Sequence, residues 1–168
     1  MKRITIYLIP ILTAAVLTGC NQSHTIDPTV HGDTKPVNLA AETARAKTEN
    51  KLLLMEFGSS DSCPPCIEFQ KEVFSKPEFL NYAKSNLVFV RLDYPLGSKL
   101  PAAVESTNAI LAEQFEAWAF PTFVALDHEG KEFWRMPAKD DPNPGIPVSL
   151  FNPSGFIELV EGLKAKLQ

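Results

Sequence analysis

Leu52-Leu53-Leu54-Met55-Glu56-Phe57-Gly58-Ser59-Ser60-Asp61-Ser62-Cys63-Pro64-Pro65-Cys66-Ile67-Glu68-Phe69 is an apolar run, a small polar loop and a pair of thiols opening a helix. The run from Leu52 to Phe57 is continuous rather than alternating, as parallel strands packed on both faces are. Two thiols separated by two residues at the start of a helix can close a disulfide within one turn, which is redox geometry. The helix N-terminus sets partial positive charge and free backbone N–H groups beside Cys63, lowering a thiol pKa and making thiolate available near neutral pH. Cys63 is therefore read as the attacking sulfur and Cys66 as the resolving one.

Glu56 interrupts the strand, and two readings of it stay open. A carboxylate buried there is costly to keep charged, so its pKa rises and it can exchange protons with a nearby thiol. Alternatively it points out of an exposed strand end, because the register of so short a strand is not fixed by its own residues. Before the strand, Asn38 to Asn50 has a weak apolar stripe and alanine-rich helix formers, and reads as a helix covering one sheet face.

Upstream lies a basic start, Met1-Lys2-Arg3, an apolar run from Ile4 to Leu17 and the small-residue junction Thr18-Gly19-Cys20, the layout of a secretory signal. The apolar run, about 14 residues, is short for a spanning helix, which needs about 20; a retained anchor is the alternative. Leu17-Thr18-Gly19-Cys20 resembles the bacterial lipobox, in which the cysteine becomes the lipidated first residue of the mature chain. The chain has three cysteines, and an unpaired thiol in an exported protein asks for an explanation. Lipidation of Cys20 supplies one and leaves the single pair Cys63 and Cys66. The expected organisation is thus a lipoprotein signal peptide over 1–19 and a lipidated tether over 20–37, polar and without period. His24 and His31 in the tether read as solvated spacers.

The remaining residues, about 130 of them, are expected to form one domain over 38–168. With 45% hydrophobic residues the chain can bury a core, and its net charge of −4 argues against nucleic acid, which calls for a clustered basic face. A structural zinc site needs four ligands, and His24, His31 and His128 lack the spacing to complete one with the two thiols. No metal ligand set is assigned.

Further along, Asn86 to Asp93 reads as the next strand, with Arg91 and Asp93 at its wet end. Ala102 to Trp118 reads as a helix with Val104, Ile110, Leu111 and Phe115 on its apolar side. Ala119 to Asp127 is a strand whose mouth carries Pro121, a residue normally excluded from central pairing. Asp127-His128-Glu129-Gly130 is a turn in which Gly130 is free to take positive φ, and Lys131 to Met136 returns as an antiparallel strand with Phe133 and Trp134 on opposite faces. Pro137 to Pro153 is a proline-rich insertion, read as a surface excursion in preference to a rim around the site. Ser154 is expected to cap a closing helix with Phe156, Ile157, Leu159, Val160, Leu163 and Leu167 on its apolar face.

The strand, the loop Phe57-Gly58-Ser59-Ser60-Asp61-Ser62 and Cys63-Pro64-Pro65-Cys66 together resemble the thioredoxin superfamily, particularly its exported bacterial members, as does the link Glu72-Val73-Phe74-Ser75-Lys76-Pro77-Glu78-Phe79. The resemblance implies an α/β fold, a thioredoxin-like three-layer sandwich with a central mixed β-sheet. It implies that Glu56 falls at the buried carboxylate, that Pro121 is the signature cis-proline beside the disulfide, and that the backbone of Phe120 pairs with substrate peptide. Two departures stand out: Ser62 replaces the usual tryptophan before the first cysteine, and both intervening residues are proline. Proline lacks an N–H, so Pro64 and Pro65 offer no donors to a Cys63 thiolate and Cys66 supplies the main one, which makes Cys63 less acidic and the pair a reductant.

The expectation is a membrane-tethered thiol–disulfide oxidoreductase that reduces protein disulfides outside the cytoplasm, needs no cofactor and is regenerated by a membrane redox partner. Its place is the bacterial cell envelope, facing the periplasm; Asn21 after Cys20 lacks the aspartate associated with inner-membrane retention, which favours the outer membrane. Three alternatives stay open: a disulfide oxidase or isomerase, a thiol-based metal-binding module, and a binding scaffold with an inert pair.

Overall fold

The computed structural model describes residues 35–139 and 145–167; Cys20, His24, His31 and the expected signal lie outside them. Among the described residues, five α-helices and four strands follow in the order α1 (Leu39–Glu49), β1 (Leu52–Gly58), α2 (Pro64–Phe69), α3 (Pro77–Asn86), β2 (Leu87–Asp93), α4 (Ala102–Gln114), β3 (Thr122–Leu126), β4 (Glu132–Met136) and α5 (Pro153–Lys164). A π-helical turn, Gln70–Phe74, continues α2, and a 3-10 turn, Val148–Phe151, precedes α5. The sheet order is β2-β1-β3-β4, with β1 parallel to β2 and antiparallel to β3, and β3 antiparallel to β4. This is the mixed sheet that the sequence led us to expect.

Strand side chains alternate between faces, and here both faces are covered. Leu52, Leu54, Leu87, Phe89, Phe123 and Ala125 meet Phe69 and Phe74 of the α2 segment, Phe79 of α3 and Phe156 and Val160 of α5. Leu53, Met55, Phe57, Val88, Val90 and Val124 turn the other way, onto Ala46 of α1, Leu111 of α4 and Phe115 just past the end of α4. Burial on both sides is why β1 shows no alternation: all seven of its residues are buried. The first layer is dominated by aromatic rings, Phe69 meeting Phe123 edge-on at 5.2 Å and Phe74 meeting Phe156 edge-on at 5.3 Å between centroids, an arrangement favoured by the ring quadrupole.

The helix ends follow local chemistry. Asn38 caps α1 by accepting from the Ala41 N–H at 3.1 Å, and Asn50 closes it in a left-handed conformation, φ 52°, which asparagine tolerates better than most residues. Four expectations are corrected. First, α4 stops at Gln114 rather than Trp118, because Glu116 takes φ 50° and the Ala117 N–H turns back to the Ala112 carbonyl at 2.9 Å. Second, Ile110 faces solvent; Asn108 is buried in its place, where its amide donates to the Asp93 carbonyl at 2.9 Å. Third, the cap of α5 is Asn152, extended and accepting from the Gly155 N–H at 2.9 Å, while the Ser154 hydroxyl donates to the Asn152 side chain. Fourth, Phe133 and Trp134 are both half-buried against the same aromatic layer, since β4 is a short edge strand whose pairing with β3 shifts register at Ala125 and Leu126.

Candidate active site

Cys63 sits just past the loop that leaves β1 and is the N-cap of α2, with Pro64 at the first helical position. Proline is well placed there, since that N–H has no helical partner in any case. Extended backbone at Cys63 aims its sulfur back over the helix, and the Cys66 N–H donates to Cys63 Sγ at 3.2 Å. The two cysteines are joined as a disulfide with Cα atoms 5.2 Å apart. Both are buried, Cys63 6% and Cys66 3% exposed.

The loop before Cys63 is fixed by side chains. Ser60 donates to the Asp93 carboxylate through both its N–H, 2.8 Å, and its hydroxyl, 2.7 Å. Asp61 accepts from the Leu96 and Gly97 N–H groups at 2.9 and 2.7 Å, and these donors hold its carboxyl below the usual range. Tyr94 continues this wall: its hydroxyl donates to the Asn108 carbonyl at 2.7 Å and its ring stacks on Phe120 at 5.0 Å. Burial pushes the Tyr94 phenol pKa up, so it stays a neutral donor. Asp93, read from sequence as a wet strand end, instead ties loop to strand.

Beneath the disulfide lies Glu56, 2% exposed. The parallel register sets it opposite Arg91. Arg91 Nε donates to Glu56 Oε2, Arg91 Nη1 donates to Gln70 Oε1, and the guanidinium lies over the Phe74 ring at 5.1 Å. Arg91 is therefore corrected from a strand-end charge to the half-buried partner of Glu56. Burial pushes the Glu56 carboxyl up, and the Arg91 guanidinium pulls against that rise. Glu56 Oε1 is buried without a hydrogen-bond partner. Gly58 leaves the space between it and the disulfide open: a Cβ there would lie 3.1 Å from Cys66 Sγ and 3.5 Å from Glu56 Oε1.

The Phe120–Pro121 peptide bond is cis, and Thr122 Oγ1 steadies the turn by donating to the Ala119 carbonyl at 2.7 Å. Phe120 and Pro121 share with Pro65 a cleft of about 380 Å³, whose other walls are Ala119, Pro137, Ile146 and Phe151. Pro137, Ile146 and Phe151 belong to the proline-rich segment, which is thus a rim of the site at those positions and not the surface excursion expected of it. Pro64 is exposed at the outer edge. Sequence reasoning missed Arg91, Gln70, Tyr94 and these rim residues. One signal was available for Arg91: Glu56 and Arg91 are each the fifth residue of a seven-residue strand, so in-register parallel pairing brings opposite charges together. Among the described residues, no three His, Cys, Asp or Glu side chains are grouped to hold a metal ion.

A mixed sheet covered by helices on both faces, with a Cys-Pro-Pro-Cys disulfide at a helix start and Pro65 of that motif sharing a cleft with a cis-proline, defines the class of thioredoxin-fold proteins bearing a dithiol–disulfide centre. The chain belongs to the thioredoxin-like domain family, which matches residues 37–141. It is similar to the disulfide bond reductase DsbH of Chlamydia pneumoniae, 32% identical over 91 residues that cover 54% of this chain and 55% of that protein. It is also similar to the thioredoxin-related protein DsbJ of Chlamydia pneumoniae, 28% identical over 92 residues, 55% of this chain and 26% of that protein. The chain therefore spans about half the length of the first relative and about a quarter of the second. A solved structure of DsbH oxidoreductase superposes with a TM-score of 0.61 at 24% identity, over 90% of this chain and 96% of that one, and shares the fold.

Proposed function

We propose that this chain is a thiol–disulfide oxidoreductase that reduces protein disulfides outside the cytoplasm. The observation that carries the direction is the donor set at Cys63: Cys66 supplies an N–H at 3.2 Å, and Pro64 and Pro65 have none to give. Thiolate stabilisation by backbone donors is what makes a cysteine pair strongly oxidising, so a thin donor set favours a reductant. The name carried by DsbH, a disulfide bond reductase, agrees with that direction.

In the proposed cycle the Cys63 thiolate attacks one sulfur of a substrate disulfide, forming a mixed disulfide and expelling the other substrate sulfur as thiolate, which takes a proton from solvent. Cys66 then gives its proton to Glu56 and attacks Cys63 Sγ. The Cys63–Cys66 bond forms, the mixed disulfide breaks, and the second substrate sulfur leaves and is protonated; the pair has lost two electrons and the substrate has gained them. Pro65, Phe120 and Pro121 line the cleft where substrate backbone would lie, and exposed Pro64 borders its approach. A membrane redox partner returns the electrons. The anchor is lipid on Cys20, with the outer membrane favoured by Asn21.

The reading is tested by the equilibrium reduction potential of the Cys63–Cys66 pair, measured with Cys20→Ser so that the pair alone titrates. The expected value is near thioredoxin's, about −270 mV. A value near −120 mV, that of a strong disulfide donor, would reverse the flow. A pair that does not cycle would leave a binding scaffold, and tight Cu(I) or Zn(II) binding lost with either cysteine would mark a metal module. Fatty-acid labelling of the wild-type chain, abolished by Cys20→Ser, is the expected result for the anchor; equal labelling of both chains would remove Cys20 from that role.

A further inference from the structure

We propose that Ile146 and Phe151 are specificity-determining residues. With Pro137 they turn the cleft beside the disulfide into a socket for one large apolar side chain, so that the enzyme favours cysteines with such a side chain close by in an extended segment. The proposal rests on the reading of this chain as a reductant of protein disulfides and names the class of cysteine it takes. One side of the cleft belongs to the reaction centre: Pro65 stands between the two cysteines in sequence, and Phe120 and Pro121 lead into β3. These three alone would make an open shelf. Pro137, Ile146 and Phe151, which come from beyond β4, add the opposite wall and leave a space of about 380 Å³.

The composition of the walls selects the occupant. Every side chain lining the cleft is apolar, so the polar atoms a ligand can reach there are those of the main chain. A charged or amide side chain entering it would give up water for no side-chain partner, whereas an apolar one gains by leaving water. The volume lies at the small end of the range for ligand sites, about 300–1,000 Å³. That suits a side chain and not a helix, which is about 10 Å across. A substrate sulfur bonded to Cys63 sits beside Pro65, and an extended chain advances only about 3.3 Å per residue. The side chain that fills the socket therefore belongs to a near sequence neighbour of the substrate cysteine.

The walls are held from behind. Phe151 packs on Phe69 of α2 with ring centroids 4.4 Å apart, between Leu150 in the core and Asn152 at the cap of α5. On the other side, Phe120 stacks on Tyr94 at 5.0 Å. Lys139, two residues past Pro137, pairs with Glu116 at 2.9 Å, which joins the two stretches of chain that supply opposite walls. Walls fixed before the substrate arrives lose little to ordering when it binds. Electron flow stays that of the proposed cycle, and the socket makes and breaks no bond.

The test uses the reduced full-length chain carrying Cys20→Ser and a set of short glycine–serine peptides with a central cysteine, each oxidised to its symmetric disulfide. One flanking position at a time carries Phe, Leu, Glu or Lys, and the second-order rate constant for thiol release is read by chromatography. At one or two flanking positions Phe and Leu are expected to raise the rate constant about tenfold over glycine, the scale set by burying one such side chain; Glu and Lys there should gain nothing. Phe151→Ala and Ile146→Ser should each remove about half of that free energy, leaving a Phe-to-Gly ratio of about threefold. Ile146→Trp, which fills the space, should bring the ratio close to one. Val148→Ser, in the same 3-10 turn but exposed and outside the cleft, should keep the wild-type ratio. The glycine peptide is the reference within each variant, so a variant that is partly unfolded still yields its ratio. Equal rate constants for all flanking residues would overturn the socket while leaving a working reductase. A ratio unchanged in all three cleft variants would overturn the assignment to Ile146 and Phe151. Failure to reduce any of the peptides would remove the reductase reading, and the proposal with it.

Discussion

At the scale of single residues, the site depends on what is small as much as on what is reactive. Gly58 has no side chain to insert between Cys66 and Glu56, and a methyl group there would sit 3.1 Å from Cys66 Sγ. The neighbour is a bridged sulfur at the start of a helix and has little room to move. Gly58→Ala is therefore expected to destabilise the oxidised protein by about 1–3 kcal/mol, the usual range for overpacking a close contact. It should also slow the intramolecular attack of Cys66. Gly162 is the control, lying in α5 with nothing within 4 Å of a built Cβ; Gly162→Ala should stabilise by about 0.5–1 kcal/mol through helix propensity. Denaturant titration of both variants measures the contrast, and equal midpoints would sink the crowding argument. Glu56 itself illustrates what a residue discloses before its structure is known. Its position in an apolar run marks it as unusual, but its burial depends on a partner 35 residues away, so local sequence leaves both the buried and the exposed readings standing.

Among the elements, α5 is set by its first turn. Asn152 works at both ends of its amide: Oδ1 accepts from the Gly155 N–H at 2.9 Å and Nδ2 donates to the Ser149 carbonyl at 2.7 Å. One side chain thus caps α5 and joins it to the 3-10 turn that carries Leu150 into the core and Phe151 to the cleft. Asn152→Ala should lower stability by about 1–2 kcal/mol, a typical cap loss, and Asn152→Asp, which keeps the acceptor, should recover most of the cap. Ser154→Ala should change little. Thermal melting ranks the three, and a larger loss at Ser154 than at Asn152 would return the cap to Ser154. The elements whose chemistry is local were legible in sequence. The unbroken apolar run gives β1, Asn38 and Asn50 bound α1, and the paired cysteines mark the start of α2. What depended on tertiary contacts was not: Ile110 fits a helical stripe as well as Asn108, yet Asn108 is buried because a free carbonyl at Asp93 needs its amide. Likewise the rim role of Pro137, Ile146 and Phe151 arises from where the chain returns after β4, which composition does not encode.

For the whole molecule, the buried carboxylate sets a pH dependence opposite to that of the surface. Glu49, Asp61, Glu72 and Glu116 have pKa values lowered by neighbouring donors and cations. Such groups add stability above the ordinary carboxylate range and lose it on acidification; all four are exposed or nearly so, and solvent screens their share. Glu56 has its pKa raised, chiefly by burial. Between the unfolded and folded pKa values the native state then binds more protons than the unfolded one, so stability falls as pH rises. The contribution is full below the ordinary carboxylate range and is lost as pH climbs through the raised value. Glu56→Gln keeps an acceptor for Arg91 and removes the titration. Relative to this variant, wild type should melt highest on the acid side and lose a few degrees, roughly 2–4 °C for each kcal/mol in a protein of this size, on moving to neutral pH. The difference between the two melting curves cancels the surface carboxylates, which are common to both. Parallel curves would mean that Glu56 titrates alike in the folded and unfolded chain, that Arg91 fully offsets its burial, and that the site holds an ordinary carboxylate beneath its sulfurs.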